Sequence, residues 1–364
     1  MHIYHHELPV TGSGSFRLAR TRVTSLDSTI VEIETDTGLY GFGETCPLGP
    51  AYQPHHALGA RAALTEIAPH LLGLDALAIG PLTHVMDQRL GGHGYAKAAV
   101  DIALWDLAGK AYGTRVCDLL GGAFTERVPS YYSVAVTEPA QAARIAGERQ
   151  AEGYRRLQIK VGGRHVAEDI DTIRAVCAVI DPDVALAIDA NRGWTTRDAI
   201  TVSQACRDLR FVLEQPCATL DEIAVLRPQV RHPVHLDESS ADLSTVAQIL
   251  AGGLADGLGL KITRVGGLSA MRAIRDLCAA RNVPITSDDA WGGDIIAAAC
   301  VHLGATVEPR LFDGTWIAAP YIDGHDDRGG GIEVRGGHLQ VPAGPGLGID
   351  PDRGRWGPAV ASFG

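Results

Sequence analysis

Charged residues that close short apolar runs at nearly constant intervals constrain the fold of this chain more than any other feature. Five such runs end at Lys160, Asp189, Glu214, Asp237 and Lys261. The last four of these residues are 25, 23 and 24 positions apart. A strand with its following helix has about this length, because a crossover between parallel strands needs roughly a dozen or more residues. We therefore expect five charged side chains at the carboxyl ends of five consecutive strands, converging on one rim.

The wider pattern around these residues predicts a parallel sheet covered by helices. Apolar runs occur at 131–136, 156–161, 184–189, 210–214, 234–237, 257–262 and 284–287, with helical periodicity at 168–180, 197–209, 243–251 and 267–281. Seven or eight such units that close on themselves form a TIM-type barrel. An open doubly wound sheet is the competing topology. The barrel is favoured because it gathers the charged strand ends into a ring, whereas an open sheet would spread them along a line.

The two ends of the chain have a different character. Residues 29–35 alternate apolar and polar, residues 36–38 form a turn, and a second strand begins at Leu39, which together predict an antiparallel hairpin. Helical periodicity follows at 57–72 and 96–112. The last 45 residues are rich in Gly and Pro and are expected to form loops with short strands that return to the first domain.

Composition excludes several classes of function. The net charge of −11 argues against a nucleic-acid partner, which would need a clustered basic surface. No run reaches the roughly 18 apolar residues of a membrane span, and the start of the chain lacks the pattern of a signal peptide. The seven cysteines include no Cys-x-x-Cys pair and are expected to be free thiols. These features favour a cytoplasmic protein.

Asp189, Glu214 and Asp237 are candidate metal ligands. Three carboxylates without a nearby Cys or His favour a hard cation, Mg²⁺ or Mn²⁺, over Zn²⁺. Such an ion keeps open positions that a substrate carboxylate can occupy. Each acid taken alone could equally be a solvated strand end or a helix cap, and only their common rim favours the metal.

Lys160 and Lys261 are candidate catalytic bases on the strands that flank the three acids. A partly desolvated lysine beside a dication has a depressed pKa, so a neutral amine becomes accessible near pH 7. Across a barrel mouth, the two amines would lie on opposite faces of a metal-bound substrate. The alternative is an ordinary ion pair between each lysine and a neighbouring carboxylate.

At this point the chain resembles the enolase superfamily, in the branch of muconate-lactonizing enzymes and mandelate racemase. The resemblance covers essentially the whole chain and rests on Gly41-Phe-Gly-Glu-Thr45, Ala99-Val-Asp-Ile-Ala-Leu-Trp-Asp106, Gln158-Ile-Lys160, Asp189-Ala-Asn191, Glu214-Gln-Pro216, Asp237-Glu238 and Lys261-Ile-Thr-Arg-Val-Gly-Gly267. It implies an α/β fold in which a (β/α)₇β barrel over 126–320 carries an α+β capping domain over 1–125, with 321–364 returning to the cap. It also implies one Mg²⁺ per subunit, abstraction of a proton α to a carboxylate, and a homo-oligomer.

One position departs from many members of that branch. They carry Lys-x-Lys on the second barrel strand, whereas this chain has Gln158 at the first of the two positions. The second lysine is retained as Lys160. Gln158 removes a positive charge that would depress the pKa of Lys160, and its place beside the expected substrate makes it a candidate contact.

Within the branch, the chain is similar to the 4-hydroxyproline betaine 2-epimerases, which also act on proline betaine. The supporting stretches are Glu44–Tyr52, Tyr154–Lys160, Ser287–Asp294 and Gly314–Trp316. The resemblance implies that Tyr52, Trp316 and the Asp288-Asp289 pair surround a quaternary ammonium, which can be held only by charge and aromatic faces. Tyr52 and Trp316 could instead pack a lid or a domain interface.

The expected function is therefore Mg²⁺-dependent 2-epimerisation of a proline-derived betaine by two lysines. Asn191 and Gln215 are candidate groups that orient carboxylates or a metal-bound water, or they cap turns. Other reactions of the same branch stay open: dipeptide epimerisation, N-acylamino acid racemisation, o-succinylbenzoate formation and dehydration of a hydroxyproline. A metal-dependent hydrolase would want histidine ligands, which the strand ends lack, and a non-catalytic role would leave buried lysines among three acids without a purpose.

Overall fold

The computed structural model describes residues 1–11, 15–19 and 22–364. Its strands in chain order are β1 (His2–Pro9), β2 (Phe16–Arg17), β3 (Arg22–Val23), β4 (Ser25–Glu34), β5 (Tyr40–Thr45), β6 (Arg127–Pro129), β7 (Tyr132–Val134), β8 (Arg156–Lys160), β9 (Ala185–Asp189), β10 (Val212–Glu214), β11 (Val234–Leu236), β12 (Gly257–Leu258), β13 (Val334–Arg335), β14 (His338–Gln340) and β15 (Ala361–Ser362). Its α-helices are α1 (Ala57–Ile67), α2 (Ile79–Arg89), α3 (Gly94–Tyr112), α4 (Val116–Leu119), α5 (Pro139–Ala151), α6 (Val166–Cys177), α7 (Thr196–Ala205), α8 (Leu220–Leu226), α9 (Leu243–Ala251), α10 (Ile262–Val265), α11 (Leu268–Ala280) and α12 (Asp294–Ala305).

The first part of the chain forms an antiparallel sheet backed by helices. The sheet order is β15-β1-β4-β5, and the hairpin of β4 and β5 around residues 36–38 agrees with the sequence prediction. The helix predicted over 57–72 is shorter, because α1 ends at Ile67 and the chain continues as a 3₁₀ turn that contains Pro69. The alanine-rich helix α3 is buried over most of its 19 residues and packs directly on β5.

The middle of the chain forms the parallel barrel predicted from the strand rhythm. Six strands pair in the order β12-β11-β10-β9-β8-β7. Single parallel bridges continue the ring from Leu258 to Ile285 and from Ile285 to Phe312, and a bridge between Ser130 and Thr315 closes it. Seven helix-containing connections, with α5, α6, α7, α8, α9, α11 and α12, join the eight positions of this ring. The TIM-type (β/α)₇β architecture is thereby confirmed.

The last two positions of the ring differ from the sequence prediction. The run 284–287 forms only bridges, and β12 ends at Leu258 rather than reaching Lys261. Pro284 lacks an N–H and can offer the ladder only its carbonyl, which accepts from the Leu258 N–H at 3.0 Å. Asp237 lies directly after β11, and Lys261 lies three residues after β12, where it forms a single parallel bridge with Asp288. Both remain on the carboxyl side of the barrel.

The final segment adds strands in two places. β13 and β14 pair with β6 beside the barrel, whereas β15 pairs with β1 at the edge of the first sheet. Arg353 donates three hydrogen bonds to Glu32 on β4, at 2.7 to 3.1 Å. The tail thus contacts the first sheet and also the strand that leads into the barrel. Domain boundaries at 125 and 320 stay a prediction.

Within the described ranges, no helix combines the length and apolarity that crossing a bilayer would require. All seven cysteines are free thiols, and six of them are buried. The thiols therefore pack as small apolar groups in the core.

Candidate active site

Three buried carboxylates meet at the carboxyl ends of adjacent strands. Asp189 ends β9, Glu214 ends β10, and Asp237 follows β11 by one residue. One oxygen atom from each lies within 4.8 Å of the others, and each residue is at most 4% exposed. Parallel pairing fixes this juxtaposition, because Asp189 is in register with Glu214 on the neighbouring strand.

An amine contacts each end of this acidic trio. Lys160, the last residue of β8, donates to Asp189 Oδ2. Lys261 Nζ donates to both oxygen atoms of Asp237, at 2.8 and 2.6 Å. In the order of the sheet, the five side chains therefore run amine, acid, acid, acid, amine.

The charges of this cluster shift several pKa values. Burial raises the pKa of Asp189 to about 6 against the opposing effect of Lys160. Burial acts the same way on Asp237, but Lys261 and Arg264 outweigh it and hold the pKa of Asp237 well below its usual range. Burial lowers the pKa of Lys160, yet Asp189 and Glu214 outweigh this and raise it overall. The protein charges thus favour the ammonium form of Lys160, whereas the depressed pKa expected from the sequence relied on a dication.

The donor set fits a hard divalent cation. Glu214 Oε2 is buried and has no hydrogen-bond partner among residues 1–11, 15–19 and 22–364. A buried carboxylate oxygen without a donor is costly unless a cation occupies its lone pairs. Three carboxylates with all-oxygen donor atoms match the ligand preference of Mg²⁺. Asp189, Glu214 and Asp237 are the residues that could hold such an ion.

The neighbouring amides contact the trio in different ways. Asn191 Nδ2 donates to Asp189 Oδ2 at 3.0 Å and to Glu238 Oε1 at 3.2 Å. Gln158 Nε2 donates to Glu214 Oε1 at 2.7 Å. Gln215 instead accepts from the backbone N–H groups of Asp237 and Ser239, so its side chain fixes the loop that carries the third acid. Asn191 and Gln215 have φ angles of 44° and 33°, left-handed values that are rare outside glycine.

The residues expected to surround an ammonium group line one cavity together with Lys160 and Lys261. Tyr52 lies there, but its hydroxyl donates to Asp237 Oδ2 at 3.1 Å, so its polar end points at the acidic trio. The Trp316 backbone N–H donates to Asp288 Oδ1 at 2.7 Å. Asp288 Oδ2 also accepts from Tyr131 and Thr286.

Asp289 lines the same cavity but has a different set of partners. Its two oxygen atoms accept from the backbone N–H and the hydroxyl of Thr263, each at 2.8 Å. Thr263 belongs to α10, which directly follows Lys261. Asp289 thus ties the pocket loop to this short helix, and Asp288 is the acid that contacts the aromatic wall.

Trp291 and Arg264 are among the site residues that the sequence did not predict. Trp291 packs edge-on against Trp316, with ring centroids 5.4 Å apart, and lines the cavity. Arg264 is 5% exposed, and its Nη1 donates to Asp237 Oδ1 at 2.7 Å. Both residues lie inside motifs that carry the family resemblance. For Arg264, the sequence signal is its position three residues after the candidate base Lys261.

Comparison with known proteins gives two family models that together span most of the chain. The model of the mandelate racemase / muconate lactonizing enzyme N-terminal domain matches residues 4–121, and the enolase C-terminal domain-like model matches residues 141–355. A cis-3-hydroxy-L-proline dehydratase from Roseibium aggregatum is 43% identical over 94% of this chain and 92% of its own length. A hydrophobic dipeptide epimerase from Enterococcus faecalis is 32% identical over 72% of this chain and 75% of its own.

Solved structures agree with these matches. A member of the enolase superfamily from Roseovarius nubinhibens, in complex with magnesium, superposes with a TM-score of 0.94 at 35% identity. The alignment covers 100% of this chain and 98% of that one. The likeness therefore includes both the barrel and the sheet that covers it.

Proposed function

Because the chain belongs to the mandelate racemase / muconate lactonizing enzyme branch of the enolase superfamily, we propose that it dehydrates cis-3-hydroxy-L-proline with the help of Mg²⁺. The observation that carries this proposal is the amine at each end of the acidic trio, Lys160 on Asp189 and Lys261 on Asp237. The 43% identity to a cis-3-hydroxy-L-proline dehydratase supports the choice of substrate. A pair of amines is more than proton abstraction alone requires, and the stereochemistry of this substrate uses both.

In a cis-3-hydroxy acid, the hydroxyl and the carboxylate share one face of the ring, so the C2 hydrogen lies on the opposite face from the hydroxyl. One lysine takes the C2 proton as general base. The other lysine donates a proton to the departing hydroxyl, which leaves as water. The C2–H and C3–O bonds break, a C2–C3 double bond forms, and both lysines later exchange protons with solvent. Amines on opposite sides of the ring suit this anti elimination.

Asp189, Glu214 and Asp237 would hold one Mg²⁺, which would bind the substrate carboxylate and help to stabilise the negative charge that develops beside it. Gln158 and Asn191 orient two of these carboxylates through hydrogen bonds of 2.7 and 3.0 Å. Asp288 and the rings of Trp316 and Tyr52 would receive the ring nitrogen. A cytoplasmic homo-oligomer stays part of this proposal.

A second candidate is the 2-epimerisation of proline betaine or hydroxyproline betaine. It is favoured by the cavity wall, in which Trp316 meets Trp291 edge-on, and by the stacking of Tyr321 on Trp316, with ring centroids 5.3 Å apart. The oxygen atoms of Asp288 already accept three hydrogen bonds, so they suit an ammonium without N–H groups. Here one lysine would remove the C2 proton and the other would return a proton to the opposite face.

The two reactions are separated by incubating the enzyme with Mg²⁺ and each substrate in D₂O. Dehydration predicts loss of one water from cis-3-hydroxy-L-proline by mass spectrometry, whereas epimerisation predicts deuterium at C2 of proline betaine and the appearance of its mirror image.

Lys160→Ala and Lys261→Ala should each lower the rate by about 10²–10⁴-fold. Lys110→Ala removes a lysine that pairs with Asp106 away from the cavity, and this variant should keep the wild-type rate. The proposal is contradicted if the wild-type enzyme turns over neither substrate, or if either lysine variant keeps full activity.

A further inference from the structure

Glu44 is a fully buried carboxylate of β5 whose hydrogen bonds cross from the first sheet to the barrel. Its Oε1 accepts from the backbone N–H of Gly293 at 2.8 Å, and its Oε2 accepts from the N–H of Ile296 at 3.2 Å. Ser28 on β4 donates to Oε1 at 2.6 Å. Gly293 and Ile296 belong to the start of α12, where free N–H groups and the helix dipole favour a negative charge. A residue 249 positions away thus caps this helix.

Two glycines make room for this carboxylate. Gly292 has a φ of 137°, and a Cβ there would lie 2.6 Å from Ile296 Cδ1 and 3.3 Å from Glu44 Oε1. A Cβ on Gly293 would lie 2.8 Å from Asp326 Oδ2 and 3.5 Å from Glu44 Oε1. The motif Gly41–Thr45 therefore contacts the motif Ser287–Asp294, because the carboxylate of Glu44 packs against Gly292 and Gly293.

The segment that Glu44 holds is continuous with the cavity wall. Asp288, Asp289 and Trp291 all line the cavity and immediately precede Gly292. Trp291 packs edge-on against both Trp316 and Phe16, with ring centroids 5.4 and 5.5 Å away. The position of Gly293 therefore sets where the Trp291 ring can lie.

We propose that Glu44 is a positioning residue that fixes the substrate-binding wall of the barrel from the first sheet. It touches no reacting atom and acts through the backbone of Gly293 and Ile296. The inference rests on the proposed function in that the wall is taken to bind a proline-type substrate. Hydrogen bonds to two backbone N–H groups are more directional than apolar packing, which explains how a contact from another sheet can hold the loop.

Glu44→Gln tests the proposal with nearly unchanged shape. One of the two amide positions carries an NH₂ group, which must then face a backbone N–H of Gly293 or Ile296. We expect KM for cis-3-hydroxy-L-proline or proline betaine to rise about tenfold or more while kcat changes less, because displaced binding groups weaken positioning. Calorimetric titration of pyrrole-2-carboxylate, a planar analogue of the deprotonated ring, should show a matching increase in Kd in the presence of Mg²⁺.

The matched control is Asp106→Asn, which alters another buried carboxylate that spans distant segments. Asp106 accepts from the N–H groups of Phe42 and Leu347 and does not line the cavity. It should lower the thermal midpoint and leave KM and the analogue's Kd unchanged. A Glu44→Gln enzyme that loses stability to the same degree but keeps wild-type KM and Kd would overturn the positioning role.

Ser28→Ala provides a second variant if Glu44→Gln fails to fold. It removes one donor to Glu44 Oε1 and keeps the carboxylate, so KM and Kd should rise in the same direction by a smaller factor. Wild-type values in Ser28→Ala would then overturn the inference. A wild-type enzyme that neither turns over the two substrates nor binds the analogue contradicts the proposed function itself, which separates the two failures.

Discussion

Gln158 illustrates what a single position does and does not disclose before its neighbours are known. From the sequence, the residue is a missing positive charge two positions before Lys160. In the structure, Ser133 Oγ donates to its Oε1 at 2.8 Å, while its Nε2 donates to Glu214. The spacing of two along a strand predicts that Gln158 and Lys160 face the same side. The partners cannot be predicted in this way, because they come from other strands.

Replacement of this amide by an apolar group of similar size tests its role. Gln158→Leu removes the hydrogen bond from Gln158 Nε2 to Glu214 Oε1. We expect the affinity for Mg²⁺ to fall about tenfold, in line with the loss of other groups that orient metal ligands. Isothermal titration of Mg²⁺ measures the effect.

Ser133→Ala is the control for this variant. It removes the donor to Gln158 and retains the hydrogen bond to Glu214, so it should have a smaller effect on Mg²⁺ affinity. Equal affinities in wild type and a folded Gln158→Leu enzyme would refute the role assigned to the amide.

Secondary-structure elements were predictable where their pattern is local. The sequence pattern predicts β8 to β11 and the helices α6, α7, α9 and α11 closely, because alternation and helical periodicity are properties of short windows. The ring positions at Ile285 and Phe312 are reduced to single bridges, since the ladder there depends on Pro284 and on strands far along the chain. The contact between β5 and α3 was also beyond prediction, because β5 ends at residue 45 and α3 begins only at residue 94.

Glycines allow that approach. A Cβ on Gly43 would lie 1.8 Å from the carbonyl oxygen of Ala99 in α3, and one on Gly41 would lie 2.3 Å from that of Ala103. Gly43→Ala should therefore lower the free energy of unfolding by about 1–3 kcal/mol or more, because the strand and helix must separate. Urea unfolding monitored by circular dichroism measures the change.

Gly147→Ala in α5 is the matched substitution. Nothing lies within 4 Å of its added Cβ, so the higher helix propensity of alanine should stabilise the protein by up to about 1 kcal/mol. Similar losses in both variants would contradict the close-packing explanation.

Across the whole molecule, the sequence predicted the barrel, its covering sheet and the branch of the family. The fold follows from a rhythm repeated along much of the chain, whereas the cavity wall is assembled from Phe16, Tyr52, Trp291 and Trp316, which are too far apart in sequence for any window to unite. The same long-range assembly buries His302, which joins three parts of the chain. Its Nδ1 accepts from the Cys117 N–H at 3.3 Å, and its Nε2–H donates to the Leu347 carbonyl at 3.1 Å.

This arrangement predicts acid sensitivity. Burial lowers the pKa of His302 to about 4, and a proton on Nδ1 would face the Cys117 N–H. Between the ordinary pKa of 6.5 and about 4, the unfolded chain binds more protons than the folded one, so stability falls as the pH falls. His302 alone should lower the free energy of unfolding by about 2 kcal/mol between pH 7 and pH 5. His302→Gln should show a shallower dependence in urea unfolding, while His84→Gln on the exposed face of α2 should follow the wild type. An unchanged slope in His302→Gln would exclude this source.

The pairing of β15 with β1 has a consequence for biosynthesis. β1 is translated before any strand of the barrel, and β4 can join it soon afterwards, whereas β15 leaves the ribosome only after the entire barrel has been made. The outer border of β1 therefore waits through most of translation for its second neighbour. A nascent chain of this protein must keep that border from associating with other polypeptides until residues 361–362 arrive.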